Sequence, residues 1–173
     1  MSKITVSDII KYLKINRGTF YLHYSDKDSL IINIEKKLNK ELEKKLVGVM
    51  DEILVVNPDI KAPHPQLLRL FHFLNKNKKL LTFLVGQNGD SKFIQNIFNI
   101  LKKNLLLRIT QIKGKISFNS TIPADYVIQI VVSGLVDIIQ FWLKKEDSSE
   151  KDITDIIVKT RVLSPYQLLG LKD

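Results

Sequence analysis

The chain contains no cysteine and only three histidines, His23, His64 and His72, among its 173 residues. No disulfide scaffold, Cys-ligated zinc or iron–sulfur site, or cysteine nucleophile can therefore exist. A histidine-rich metal centre is excluded as an expectation too, because no HExxH-like spacing occurs. Glycine and proline are scarce, 7 and 5 residues. They fall in clusters: Pro58, Pro63 and Pro65; Gly86 and Gly89; Gly114 and Pro123. No uninterrupted apolar run reaches the roughly 20 residues that span a bilayer, and no apolar core follows the N-terminal charges as in a signal peptide. These features predict a cytoplasmic protein without a membrane segment. The composition, 45% hydrophobic and 26% charged, is that of a folded globular chain. A formal charge of +9 fits a nucleic-acid partner but also plain solvated helices.

Between the breaks, apolar residues recur at helical spacing, and sustained period-two alternation is missing. The expected fold is all-α. Thr5 with Asp8 reads as a capping box for a helix over 6–13, with Val6, Ile9, Ile10 and Leu13 as its apolar stripe. Asn16 should cap a second helix from Arg17 to Tyr24. Ser25 with Asp28 should open a third, running from Asp26 to about Val56 with only Gly48 against it. Further helices are expected at about 66–77, 78–85, 91–112, 123–145 and 149–163, with Pro123 at a first helical position and Ser149–Asp152 as another capping box. The turn Gly86-Gln87-Asn88-Gly89-Asp90 lacks the order of a phosphate loop and reads as a helix connection.

The segment ITVSDIIKYLKINRGTFYLHYSDKDSL, residues 4–30, carries the most specific pattern. Thr5, Val6, Ile9, Asn16, Arg17, Gly18, Thr19, Phe20, Tyr21, His23, Tyr24, Lys27 and Leu30 match it, and it resembles the DNA-reading end of the TetR family of bacterial transcriptional regulators. Gly134 followed by Phe141-Trp142-Leu143 resembles a late helix of the same family. The resemblance implies a helix-turn-helix head over 1–45 and a ligand-binding and dimerisation domain over 46–173, joined by a long helix. It implies that Arg17, Gly18 and Leu22 lie nearest base edges, with Thr19, Tyr21 and His23 closer to the backbone. Ser7 would reach a base and Lys27 a phosphate, while Thr5 belongs to the same interface. A guanidinium at Arg17 can bind guanine O6 and N7 together, which discriminates bases by about 1–3 kcal/mol. The family's first head helix would lie ahead of this chain, and its usual Ala-Gly stands here as Leu13-Lys14. Both departures predict weakened DNA binding for the chain as it stands.

From Val127 to Leu143 the pattern is apolar on nearly every face, so all sides need cover. A second copy is expected to supply part of it, through Val131, Leu135, Ile138, Ile139 and Trp142 with Ile153, Ile156 and Ile157 of the following helix. An effector pocket is expected among Phe71, His72, Phe83, Phe98, Arg108 and Trp142, with His72 and Arg108 as the polar groups able to hold an anionic or hydroxylated ligand. No nucleophile–base pair, metal site or cofactor motif stands out, so no enzyme and no cofactor are expected. The implied function is a ligand-responsive regulator, a repressor by expectation. It would bind a palindromic double-stranded DNA operator as a homodimer and respond to a small-molecule effector. The competing reading is a helical dimer with a degenerate head that acts through protein partners.

Overall fold

The computed structural model describes residues 5–54, 62–86, 91–116, 118 and 121–171. Among them every regular element is an α-helix, and no strand occurs. The helices are α1 (Val6–Leu13), α2 (Arg17–His23), α3 (Lys27–Leu46), α4 (Val49–Ile53), α5 (Pro65–Lys76), α6 (Lys78–Leu84), α7 (Ser91–Lys113), α8 (Ala124–Lys144), α9 (Glu150–Val162) and α10 (Pro165–Leu168). The connection over 87–90 and positions 55–56 at the expected end of the third helix lie outside the described residues.

Local chemistry sets most of these ends. Thr5 Oγ1 accepts from the Asp8 amide at 3.2 Å while the Thr5 amide donates to Asp8 Oδ2 at 2.8 Å, the reciprocal capping box expected there. Ser149 and Asp152 form the same arrangement at α9. At α3 the expectation is one residue out. Asp26, rather than Ser25, is the cap, and its Oδ1 accepts from the Ser29 amide at 2.7 Å. Pro123 is likewise the cap of α8 and not its first helical residue.

The long helix expected from Asp26 to about Val56 is two helices. Val47 is extended and Gly48 sits at φ 80°, left-handed backbone that breaks the ladder after Leu46. A Cβ at Gly48 would also stand 3.3 Å from the Gln66 side chain. The redirected α4 then meets α5. Glu52 accepts from the Gln66 and Leu67 amides, each at 2.9 Å. That long-range carboxylate serves an N-terminus whose own His64 makes no side-chain cap.

The core joins α3 to α9. Leu38, Leu42 and Leu46 of α3 pack with Leu67, Leu70 and Phe71 of α5, Phe93 and Leu101 of α7, Leu135 and Trp142 of α8, and Ile157 of α9. Phe71 and Trp142 stack edge to face, with centroids 5.2 Å apart, and the indole donates to the Ser148 carbonyl at 3.2 Å. Lys78 lies over the Trp142 ring at 4.9 Å, and Thr82 donates to the Leu143 carbonyl at 3.1 Å, tying α6 to the end of α8. Contrary to the expectation from sequence, α8 is long and apolar enough to cross a membrane by length and composition. It buries Val132, Leu135, Val136, Trp142 and Leu143 in the protein's own core.

Candidate nucleic-acid interface

Helices α1 and α2 meet through a turn in which Lys14 adopts φ 53°, ψ 38°, the left-handed conformation that glycine adopts most readily. The Lys14 amide donates to the Lys11 carbonyl at 3.4 Å and the Ile15 amide to the Ile10 carbonyl at 3.2 Å. This paired closure ends a helix on a left-handed residue, and half-buried Ile10 and Ile15 flank it. Asn16 then accepts from the Gly18 amide at 2.8 Å and starts α2.

On α2 only Phe20 is buried, at 3% exposure, with the Tyr21 and Tyr24 rings 5.4 and 5.8 Å away. Gly18, Thr19, Leu22 and His23 are exposed, Leu22 to 79%. At about 100° per residue Gly18 and Leu22 lie opposite Phe20, and Thr19 and His23 extend that exposed arc to within about 100° and 60° of it. Arg17 and Tyr21 border that arc, with the guanidinium 5.6 Å from the ring centroid. Ser7 of α1 is exposed, and Lys27 is half-buried at the first turn of α3. Thr5 differs from the rest of the expected set. Its hydroxyl is held by Asp8, donating to Oδ2 at 2.7 Å, so it serves the helix end. The Thr5 bonds hold the Asp8 carboxyl below its usual range, and the Ser29 amide does the same for Asp26.

Of the residues expected to line an effector pocket, Phe71 and Trp142 meet in the core, and the six do not line one common cavity. Phe71 and Trp142 fill the core, Phe98 packs against it, and Phe83 is 40% exposed. His72 is on the surface, its Nδ1 3.3 Å from Glu150 Oε2. Arg108 Nε lies 2.8 Å from Asp51 Oδ1, although its N–H is not aimed at the carboxylate. The enclosed space lies elsewhere, among Leu42, Leu46, Leu74, Phe93, Ile97, Val136 and Leu143, with Gln140 as its polar group. Its volume of about 20 Å³ is little more than one water occupies. Spacing alone could not show which aromatics the core would claim.

The expected pairing face also needs correction. Leu135, Trp142, Ile153 and Ile157 are buried within the protomer, and Val131, Ile138 and Ile139 pack partly against its core. Of the expected set, Ile156 alone is exposed. The outward stripe of α8 carries Tyr126, Ile130 and Phe141, each more than 60% exposed, together with Gly134 and Asp137. These five positions fall within an arc of about 80° at 100° per residue. An all-apolar helix hides which side its own chain covers, and the helices packed on it, α6, α7 and α9 with Phe71 of α5, decide that.

A capped two-helix head, carried by a long helix into an all-helical body, defines a helix-turn-helix protein of the transcription-regulator class. Residues 61–161, more than half of the chain, match the TetR-type family described as the transcriptional regulator C-terminal region, and the chain belongs to that family. It is 24% identical over 153 residues to the HTH-type transcriptional regulator YxbF of Bacillus subtilis strain 168, covering 86% of this chain and 37% of that protein. The chain thus spans little more than a third of that relative's length. A TetR transcriptional regulator from Streptococcus agalactiae 2603V shares the fold, with a TM-score of 0.63 and 22% identity over 93% of this chain and 83% of the other.

Proposed function

We propose that this TetR-type regulator binds a palindromic DNA operator as a homodimer, with α2 as the reading helix in the major groove. One observation carries the reading: α2 commits Phe20 alone to the interior and offers Arg17, Gly18, Thr19, Tyr21, Leu22 and His23 to solvent. A soluble helix that exposes a bare leucine beside hydrogen-bonding groups suits a groove in which thymine methyls and base edges alternate. Arg17, Gly18 and Leu22 face bases, Thr19, Tyr21 and His23 the backbone, Ser7 a base, and Lys27 a phosphate. Thr5 acts through the cap that sets α1. The head shares α3 with the body, since Leu38, Leu42 and Leu46 are already in the common core. Movement in the body is thereby transmitted to α2 through one rigid element.

The effector enters the apolar space among α3, α5, α6, α7 and α8 and opens it, because the closed volume admits little beyond a water. The protein then exists in two states with different affinities for effector and DNA, which is all that repression and its release require. The outward stripe of α8, with Ile156 of α9, pairs the two copies.

The test is fluorescence anisotropy of the chain on the DNA upstream of its own coding sequence, across a salt series. Specific binding with a steep salt slope, lost in Arg17→Ala, is expected. A chain that remains dimeric yet binds no fragment more tightly than unrelated DNA would refute the reading and favour action through a protein partner.

A further inference from the structure

Arg161 of α9 lies across the backbone of α8 at Gly134, where an added Cβ would stand 3.7 Å from its Nη2. Its Nε is buried without a hydrogen-bond partner, and no carboxylate pairs with it among the described residues. Burial lowers its pKa, with no neighbouring acid opposing the shift. An arginine taken partly out of water needs an acceptor. One turn from Gly134, on the same outward stripe between Ile130 and Phe141, stands exposed Asp137, which has no ion-pair partner among the described residues either.

We infer that Arg161 of one copy pairs with Asp137 of a second copy, the two reciprocal ion pairs fixing the register of the α8–α9 interface. The inference rests on the homodimer proposed above and adds the charge pattern that selects its geometry. A two-fold axis places the same patch on both copies, so a patch bearing one unpaired cation and one unpaired anion complements itself. Apolar residues on both sides, Tyr126, Ile130 and Phe141, exclude water from the pair.

Charge exchange tests the pairing. In Arg161→Asp both groups of the patch are acidic, and in Asp137→Arg both are basic, so each variant opposes its own self-association. Mixed together, the two restore both pairs across the interface. Sedimentation should show each single variant associating at least about tenfold more weakly than the parent, with the mixture recovering to within about threefold of it. Recovery in the double variant R161D/D137R but not in the mixture places the pair within one protomer and overturns the inference. Parental association in both single variants also overturns it, while leaving the dimer intact. A parent chain that stays monomeric refutes the dimer itself. If Arg161→Asp does not fold, Asp137→Arg decides alone, since Asp137 is exposed, and unchanged association would sink the pair.

Discussion

Lys14 is the one non-glycine residue of positive φ among the described residues, at 53°, and its replacement measures what the head gives up to hold its turn. A side chain in that region costs about 1–2 kcal/mol. Glycine removes the clash but frees the unfolded chain by about 0.5–1 kcal/mol. The balance leaves Lys14→Gly more stable by about 1 kcal/mol or slightly less. Lys14→Val, β-branched and intolerant of positive φ, should cost a similar amount or more. The core tryptophan, Trp142, is on α8 and does not report on the head. Amide hydrogen exchange of Lys14 and Ile15, whose N–H groups close the turn, reads the effect directly. Protection should rise about fivefold in Lys14→Gly and fall in Lys14→Val. Lys14→Asn separates backbone from charge, because it tolerates the left-handed region while removing the ammonium. Should Gly, Asn and Val all leave protection at the Lys14 level, the strain argument is wrong.

Three further outcomes are expected. Leu22→Ala should leave thermal stability within about 0.5 kcal/mol, because the side chain is 79% exposed, yet weaken operator binding; equal losses in both would place Leu22 in the fold instead. Phe71→Ala should cost about 3–5 kcal/mol in urea unfolding and red-shift Trp142 emission, since the buried ring supports the indole at 5.2 Å; a smaller cost without a spectral change contradicts the packing. The lowered folded pKa values of Asp8 and Asp26 make their capping contribution complete above the ordinary carboxylate value, near 3.9, and lost as pH falls through the lower folded values. Acid titration of head helicity should show that loss, while the Asp8→Asn/Asp26→Asn variant changes little in the same window; superimposable titrations would exclude it.

What the sequence determined by itself is local. Helix starts follow from side chains three residues apart, so the Thr5–Asp8 and Ser149–Asp152 boxes were legible. The head was legible through its resemblance to a family pattern, carried by Asn16, Arg17, Gly18, Thr19, Phe20, Tyr21 and His23, rather than through spacing alone. Long-range partners decided the rest. Glu52 caps α5 from 14 residues away, and Gln66 crowds Gly48 where α3 ends, contacts that no window of sequence contains. The same holds for α8. Its apolar residues required cover on every side, but its neighbours took Leu135 and Trp142 and left Tyr126, Ile130 and Phe141 outside. Periodicity ranks the faces of a helix only when one of them is polar. Where none is, the packing of the other helices chooses which side stays dry and which awaits a partner.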